Sequence, residues 1–318
     1  MEPLELMPDL PDGARVVVVG GANTDVIAMS TGPLRARDSN PGTVRTRSGG
    51  VGRNIAEVLA GLGAETHLIT AFGDDDAARS LAAACAQTGI RTHRSITVAD
   101  LPGARYVAIL DETHDMSVAV SDMRVLDALT PDLLGSRECA ELIAGADMVI
   151  ADANLPVDSL EWLAEARRAP LLVEPVSTTK ASRLLGILSR STAITPNTLE
   201  AGVLLGREVR GYTDADSAAR ELVALGAASA FVTCGAEGVA WADAMSSGRL
   251  PAPDVRVASA NGAGDAFAAG VAYALLAGAG TATGARIGSA IAALVLEGGD
   301  DRAPITRESV RERLRMEL

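Results

Sequence analysis

The sequence predicts an α/β fold: a doubly wound, mostly parallel sheet flanked by helices, with a small additional β-sheet. Three observations predict it: a continuous apolar run at 15–20, short apolar strands that alternate with helices over the second half, and two exposed β segments. Alternating β and α segments at this spacing are typical of parallel sheets. The 318 residues are enough for one large α/β domain or two smaller ones.

The first strand is predicted at 15–20, where Arg-Val-Val-Val-Val-Gly is apolar without alternation. Such a run is typical of a strand buried on both faces of a parallel sheet. A glycine pair allows a sharp turn, and Asn23 and Asp25 follow at the carboxyl end of the strand. Polar groups at this position in an open α/β sheet commonly face the ligand crevice, although an Asx turn would use the same residues.

The segments at about 26–48 and 104–120 are the two exposed β segments, because they mix apolar residues with charged ones. The first contains a loop through Asn40-Pro41-Gly42 between short strands. In the second, two β-prone runs flank Asp111-Glu112-Thr113, which predicts a hairpin. We expect the two segments to pair as a small sheet beside the main domain.

A glycine-rich stretch at 48–54 opens a helix between these two segments. An amphipathic stripe follows it, formed by Ile55, Val58, Leu59 and Leu62. Glycines such as Gly50 permit close approach of backbone to a ligand, and Asn54 stands in the first helical turn. A strand at 67–73 and a helix at 74–89 are predicted next.

The second half alternates regularly. Helices are predicted between successive strands, two of them at 136–145 and 156–169, and the charged tail from about 304 is predicted to be a surface helix. The predicted strands are 147–151, 171–173, 192–195 and 230–233.

The stretch Asn261-Gly262-Ala263-Gly264-Asp265 begins a long apolar helix pattern near the C-terminal end. Consecutive backbone N–H groups at a helix N-terminus bind anions, and a carboxylate in the same turn could take a proton from an attacking hydroxyl. On its own, the stretch fits equally well a plain helix start in which Asp265 only complements the helix dipole.

Composition excludes several classes of function. The net charge of −13 disfavours binding to a phosphate backbone, and 3% aromatic residues disfavour stacking on nucleic-acid bases. The three cysteines have no paired spacing and form no ligand pattern with the three histidines, so neither a disulfide framework nor a zinc site is expected. A Walker A loop needs a Gly-Lys pair, and the sequence has none. No Gly-x-Gly-x-x-Gly follows the first strand, which disfavours a Rossmann oxidoreductase. No signal peptide or membrane span is expected, and a cytoplasmic location is predicted.

Four polar clusters now stand at strand ends or helix starts: Asn23 with Asp25, the glycines before Asn54, Asn197 with Glu200, and Gly262 to Asp265. In this order they resemble the ribokinase-like sugar and nucleoside kinases of the phosphofructokinase-B family. The resemblance covers about 14–300 and implies a single ribokinase-like domain over 1–318. The two exposed β segments, 26–48 and 104–120, would then form a lid that covers the sugar and commonly mediates a homodimer.

The resemblance implies roles for individual residues. Asp265 would be the catalytic base, and the N–H groups of Gly262, Ala263 and Gly264 would form the anion hole. Glu200 with Asn197 would organise Mg²⁺ and the phosphates, and a loop at 233–238 would hold ATP. The implied ATP contacts in that loop are Thr233, Gly235 and Gly238.

The resemblance also implies the substrate class. Asn23 and Asp25 match positions that bind ribose hydroxyls in the family, Gly50 and Asn54 match further sugar contacts, and the position of Asn154 also contacts the sugar. Segments around Asn40, Met123, Asn154 and Glu174 look specifically like pseudouridine kinases, in which Lys180 also matches a patterned lysine. Lys180 is the single lysine among 28 basic residues, and a compact ammonium can fill a role that a planar guanidinium cannot. A chance surface lysine is the other interpretation.

Two departures from the family pattern stand out: Glu174 replaces a usual aspartate, and Ser259-Ala260-Asn261 replaces an Asp-x-Thr lead-in. The lead-in commonly helps to bind a monovalent cation, so K⁺ activation is left open. The predicted activity is ATP-dependent phosphorylation of the ribose 5′-hydroxyl of a nucleoside, with pseudouridine first. Another ribose or purine-nucleoside kinase and a non-catalytic nucleoside-binding protein are the alternatives.

Overall fold

The computed structural model of the chain describes residues 7–299 and 302–316. The extreme ends of the predicted 1–318 domain therefore lie outside the described residues. The strands are β1 (Arg15–Val19), β2 (Asn23–Ser30), β3 (Gly42–Gly49), β4 (Glu65–Ile69), β5 (Ala71–Gly73), β6 (Ile96–Val98), β7 (Arg105–Leu110), β8 (Met116–Asp122), β9 (Met148–Asp152), β10 (Leu171–Glu174), β11 (Ala193–Ile194), β12 (Ser229–Thr233), β13 (Val239–Asp243) and β14 (Ser247–Leu250).

The α-helices lie between these strands and after them. In chain order they are α1 (Val51–Gly61), α2 (Asp76–Gln87), α3 (Pro131–Leu134), α4 (Arg137–Ala144), α5 (Val157–Ala166), α6 (Thr198–Leu205), α7 (Gly211–Ala224), α8 (Ala263–Leu276), α9 (Thr281–Gly298) and α10 (Arg307–Met316). Short 3₁₀ segments lie at Arg124–Ala128, Ala181–Arg190 and Gly235–Glu237.

The main sheet of the described chain has eight strands in the order β14-β13-β12-β11-β10-β9-β1-β4. The pairs from β4 to β12 are parallel, and β12, β13 and β14 pair antiparallel at one edge. The predicted doubly wound, mostly parallel sheet is thus confirmed. The antiparallel β13–β14 edge was not predicted.

Strand β1 shows why the apolar run at its positions lacks alternation. Val16 and Val18 belong to the core on one face of the sheet, and Val17 and Val19 to the core on the other. Both cores are apolar and packed by helices, so every position of the strand must be apolar. The carboxyl end of such a strand opens into the crevice between the two layers.

A second, four-stranded sheet has the order β3-β2-β7-β8, as the described residues show. It joins the two exposed segments through a parallel β2–β7 pair between two antiparallel ones. The predicted small sheet is confirmed, and it begins earlier than predicted. Asn23 pairs with Gly49, so Asn23 and Asp25 are the first residues of β2 rather than a loop.

The predicted strand at 67–73 is two strands. Strand β4 ends at Ile69, whose carbonyl accepts a hydrogen bond from the N–H of Gly20 at 3.2 Å. The chain then leaves the main sheet, and β5 pairs with β6 instead. The exchange of partner occurs at Thr70, whose N–H donates to the Ser95 hydroxyl and whose carbonyl accepts from Ile96.

Helices α8 and α9 pack against each other at glycines, and α8 carries Asp265 in its first turn. A Cβ on Gly288 would lie 2.8 Å from the ring and 2.9 Å from the carbonyl oxygen of Phe267. This close crossing fixes the axis of α8 and hence the position of its N-terminus. Across the described residues, no helix combines the length and apolar character needed to span a bilayer.

We predict opposite effects of adding one methyl group at two positions of α9. Gly288→Ala should lower the free energy of unfolding by about 1–3 kcal/mol, because the crossing has no space for a Cβ. Gly284→Ala is the matched control, since its Cβ would meet only ordinary contacts from 3.4 Å outward. It should gain up to roughly 0.5–1 kcal/mol from helix propensity. Urea unfolding measures both, and equal effects at the two positions would contradict the close crossing.

Candidate active site

The buried carboxylate of Asp152, at the end of β9, holds three backbone segments together. Its Oδ2 accepts hydrogen bonds from the N–H groups of Gly21 at 2.8 Å and Gly52 at 2.9 Å, and its Oδ1 accepts from Asn154 at 2.9 Å. Burial raises the pKa of Asp152, and the hydrogen bonds from Gly21 and Asn154 oppose the shift. A Cβ on Gly20 would lie 2.4 Å from the same carboxylate. The β1–β2 turn and the start of α1 are therefore built around Asp152.

Asp25 projects from β2 toward the start of α1. Its Oδ1 accepts from the Asn23 amide at 2.7 Å, and its Oδ2 accepts from Arg47 Nε at 3.0 Å. A Cβ on Gly49 would lie 2.6 Å from the Asp25 carboxylate. Gly50 follows at φ 103°, with Gly21 O only 2.5 Å from the place of its Cβ. The structure thus brings together Asn23, Asp25 and Gly50, as the sequence predicted for a sugar-binding cluster.

Asn54 links this cluster to the start of α8. Its Nδ2 donates to Asp265 Oδ2 at 2.6 Å, across a sequence separation of 211 residues. Its Oδ1 accepts a short hydrogen bond from the guanidinium of Arg53. The two glycine-rich helix starts of the chain therefore meet side by side.

A cleft of about 520 Å³ lies between these two helix starts. Asp25, Arg53, Asn54 and Gly262 are among the residues that line it, and it extends to Arg302 beside α10. The volume is within the range of small-molecule sites. The cleft is therefore large enough for a nucleoside-sized ligand, and it reaches both helix starts, at Asn54 and at Gly262.

The N-terminus of α8 is uncapped by the side chains that the structure describes. Gly262 is the N-cap residue with φ 75°, a left-handed conformation that favours glycine. The N–H groups at the start of a helix have no partner within the helix. Gly262, Ala263 and Gly264 thus place donors beside the Asp265 carboxylate, in the arrangement expected of an anion hole.

Burial raises the pKa of Asp265 from its ordinary 3.8 to about 6. The hydrogen bond from Asn54 and the charge of Arg53 lower the pKa, whereas the Asp152 and Asp25 carboxylates raise it. The carboxylate is thus poised to change its charge within one unit of neutral pH, which suits a general base.

Asn154 and Lys180 form a contact behind the β1–β2 turn. Lys180 Nζ donates to Asn154 Oδ1 at 2.5 Å. The amide of Asn154 lies against Gly21, where a Cβ would be 2.6 Å from its Nδ2. Burial lowers the pKa of Lys180. This pair lies next to the Asp152 carboxylate. Neither residue is among the described residues that line the 520 Å³ cleft.

Asn197 and Glu200 form a capping box at the start of α6. The Asn197 N–H donates to Glu200 Oε2, and the Glu200 N–H donates to Asn197 Oδ1, each at 2.9 Å. Glu200 is buried and lies near Glu174. Burial and the Glu200 charge raise the pKa of Glu174 well above its usual range, and burial also raises the pKa of Glu200.

Thr233, Gly235 and Gly238 form a tight loop at the end of β12. The loop closes on a hydrogen bond of 2.7 Å from the Cys234 N–H to the Gly238 carbonyl. Thr233 is bridged to Asn197, which joins this loop to the capping box. In the described part of the chain, the nearby Thr195 hydroxyl is buried without a hydrogen-bond partner. The predicted nucleotide side thus holds an unsatisfied polar group.

Asn40 is not brought to the cluster. It lies in the loop at the far end of the β2–β3 hairpin, roughly 20 Å from Asn23 at a rise of about 3.3 Å per residue. Its side chain bonds to the backbone of Arg35 and Asp38. Contact between Asn40 and a ligand in the cleft would require this end of the hairpin to move.

The chain matches the model of the pfkB family carbohydrate kinases over residues 14–307. Pseudouridine kinase of Escherichia coli (strain K12) is 34% identical over 259 residues, which are 81% of this chain and 82% of that protein. The chain belongs to the PfkB family of carbohydrate kinases. It is accordingly a phosphotransferase whose acceptor is a hydroxyl group.

Solved structures show the same fold as this kinase. A carbohydrate kinase from Agrobacterium tumefaciens superposes with a TM-score of 0.83 at 30% identity, over 95% of this chain and 97% of that one. Arabidopsis thaliana ribokinase, solved with ribose and ATP, superposes with a TM-score of 0.81 at 22% identity, over 95% and 99% of the two chains. The ribokinase-like fold predicted from the sequence is confirmed.

Sequence reasoning missed the positions of Asp152 and Arg53 in the site of this kinase. The signal for Asp152 was an acidic residue that ends an apolar strand, and its register partner Glu174 ends the next strand in the same way. For Arg53, the signal was a charged residue on a helix position that faces the core. Neither signal identifies a partner, because the contacts come from segments distant in sequence.

We predict that Asp265→Asn stabilises the kinase at pH 7.5. The pKa of Asp265 is higher in the folded state than its ordinary 3.8, so the ionised carboxylate disfavours folding above pH 6. Its neutral isostere should raise the free energy of unfolding by about 1–3 kcal/mol at pH 7.5. The gain should shrink as the pH falls through 6 toward 4.

Urea unfolding across this pH range measures the gain, with the exposed Asp12→Asn as a control that should show little change. A variant that is less stable than the wild type at pH 7.5 would contradict the raised pKa.

Proposed function

We propose that the kinase phosphorylates the ribose 5′-hydroxyl of a nucleoside with ATP, and that pseudouridine is its substrate and pseudouridine 5′-phosphate its product. The hydrogen bond between Asn54 and Asp265 carries the proposal, because it joins a polyol-binding cluster to a carboxylate at an uncapped helix start. The choice of nucleoside is supported by the identity of 34% to a pseudouridine kinase.

In the proposed reaction, Asp265 takes the proton of the 5′-hydroxyl as its oxygen attacks the γ-phosphorus of ATP. A new O–P bond forms, the bond from that phosphorus to the leaving oxygen of ADP breaks, and the proton remains on the carboxylate. Asn23, Asp25, Gly50 and Asn54 hold the ribose. Their positioning of the hydroxyl supplies much of the rate.

The N–H groups of Gly262, Ala263 and Gly264 stabilise the charge of the transferring phosphoryl group. One such donor typically contributes roughly 3 kcal/mol to transition-state stabilisation. Because these donors are fixed by the left-handed Gly262 and by the packing of α8, they need little reorganisation during the reaction.

The nucleotide side fits a magnesium ion. The carboxylates of Glu200 and Glu174 are hard oxygen donors that repel one another in a buried place. Within the described residues, no group of three or more His, Cys, Asp or Glu is placed to hold a metal by itself. Mg²⁺ is commonly bound through one or two carboxylates together with substrate phosphates and waters. When bound, the ion neutralises charge on the phosphates. We assign Glu200 to it, and Asn197, Thr233, Gly235 and Gly238 to ATP.

Asn154 and Lys180 complete the proposed substrate side, and we assign them to recognition of the nucleoside. Asn40 would join them only with the lid closed.

The neutral Ser259 stands where the family pattern has a carboxylate, and this weakens the case for K⁺ as an activator. Free cysteines are typical of a reducing compartment, so a cytoplasmic location remains our prediction.

The four-stranded sheet is proposed to act as a lid and as a dimer interface of the single kinase domain. The strand register places four apolar residues in one row across the sheet: Val44, Ala28, Ile109 and Val118. Val44 is 68% exposed and Val118 51% exposed. Because side chains alternate along a strand, this row lies on the face opposite Asp25. One face can thus close over the sugar while the other packs against a second copy.

Another ribose or purine-nucleoside kinase is the alternative. The same ribose-binding residues would serve it, since they contact the sugar that all these substrates share. The base-recognising side therefore decides between the two activities.

We predict that, with ATP and Mg²⁺, the kinase phosphorylates pseudouridine with a higher kcat/KM than uridine, adenosine, inosine or free ribose. Phosphorylation measured over this panel decides the substrate, and preference for a purine nucleoside or ribose would establish the alternative.

Asp265→Asn should lower kcat by about 10²–10⁴-fold, the contribution of a general base, and leave ATP binding intact. A near-normal kcat would show that the base is another residue.

We predict that the kinase is a dimer in solution and that Val118→Glu makes it monomeric. A charge in the centre of an apolar interface would have to be buried without a partner. Light scattering coupled to size-exclusion chromatography measures the mass. Leu225→Glu, at an exposed apolar position beside α7, is the control and should leave the mass unchanged. A monomeric wild type, or a dimeric Val118→Glu, would contradict the proposed interface.

A further inference from the structure

Arg53 is a buried cation beside the proposed base. It is 6% exposed, and its guanidinium bonds on three sides: to the Gly49 carbonyl at 3.2 Å, to the Glu57 carboxylate at 3.2 Å, and to Asn54 Oδ1. The fork of donors is thus held by the carbonyl at the end of β3, before Arg53, and by two side chains of α1 that follow it. Such a fixed arrangement can impose an orientation on the Asn54 amide.

The orientation of that amide matters because its two ends are chemically opposite. With Oδ1 toward Arg53, the Nδ2 group faces Asp265 and donates to it at 2.6 Å. A rotation by half a turn would place an amide oxygen against the carboxylate and NH₂ against the guanidinium, with both contacts repulsive. The structure therefore contains a directed chain of two hydrogen bonds, from Arg53 to Asn54 and from Asn54 to Asp265.

We propose that Arg53 is a positioning residue of the phosphoryl transfer: it fixes the Asn54 amide, which in turn holds Asp265 Oδ2 and leaves Oδ1 to meet the acceptor hydroxyl. This inference rests on the proposed function, in which Asp265 is the base. It assigns Arg53 no contact with substrate, although Arg53 lines the cleft.

The chain of bonds also sets the charge balance at Asp265. Arg53 and Asn54 face it from α1 and favour its ionised form. Asp25 from β2, Asp152 from the end of β9 and Glu174 from the end of β10 are carboxylates and disfavour it. Loss of the arginine or of the amide orientation leaves the carboxylates unopposed. The pKa of Asp265 then rises, and a higher pH is needed to form the base.

An arginine suits this position better than a lysine. A single ammonium carries the same charge, but it cannot bond in a fixed plane to Gly49 O, the Glu57 carboxylate and Asn54 Oδ1 together. Arg53→Lys therefore separates the geometry of the fork from its charge, and Arg53→Gln removes both.

The test is the pH profile of kcat/KM for the best nucleoside of the panel, from pH 5 to 9. In both variants we expect the acid limb to move to higher pH, by about one unit for Arg53→Gln and by less for Arg53→Lys. Activity should fall about tenfold at pH 5.5 and recover above pH 8, with KM little changed. Arg302→Gln is the matched control, because Arg302 also lines the cleft and pairs with Glu57 but has no bond to Asn54. Its acid limb should stay in place.

A double-mutant cycle shows whether Arg53 acts through Asn54. In an Asn54→Ala background, Arg53→Gln should shift the acid limb by less than half as much as it does alone. If the shifts add in full, or if the Arg53 variants raise KM at every pH with an unmoved acid limb, Arg53 binds substrate or acts independently and the inference is wrong.

A direct titration separates failure of this inference from failure of the proposed function. The carboxyl carbon of Asp265, assigned by its loss in Asp265→Asn, is followed by ¹³C NMR of the aspartate-labelled protein without substrate. We expect the pH midpoint of the Asp265 titration to rise in both Arg53 variants. An unchanged midpoint would overturn the inference. If instead the midpoint moves but Asp265→Asn retains normal turnover, the proposed base is wrong. Should Arg53→Gln fail to fold, Arg53→Lys alone decides.

Discussion

The buried Asp152 carboxylate is the constraint on which the rest of the site depends. A buried charge costs several kcal/mol unless it is hydrogen-bonded on all sides, and here backbone N–H groups from three segments supply the bonds. Those segments must therefore converge at the end of β9. Their convergence brings β2, with Asp25, and α1, with Asn54, to the same place. Small residues such as Gly20 and Gly52 follow from the need for close approach.

A second consequence of this convergence is an excess of negative charge. Asp25, Asp152, Glu174, Glu200 and Asp265 come near one another, and the middle three are buried. Burial and mutual repulsion raise the pKa of Glu174 and of Asp265. The folded state tolerates this cost because the packing of two large cores outweighs it. The same repulsion favours the binding of cations and protons at this place.

Sequence patterns predicted the architecture well because it is set by local rules. The four valines of β1 indicate a strand with two buried faces, and the structure has one. Glycine-rich helix starts likewise indicated where backbone would face a ligand, and Asn54 and Asp265 do lie together. The exchange of partner after Ile69 and the β13–β14 edge were not predictable, since both depend on which distant strand has a free edge. The roles of Asp152 and Arg53 were missed for the same reason: their partners are set by the fold.

Lys180 gives the kinase an unusual chemical property. It carries the single lysine side chain of the sequence, it lies beside Asn154 at the edge of the site, and burial lowers its pKa. A larger share of this amine is thus neutral, and nucleophilic, at physiological pH than of an ordinary surface lysine. Acylating reagents that label most proteins at many places would meet one side-chain amine here. The kinase thus carries one side-chain amine, which is held against Asn154 behind the β1–β2 turn.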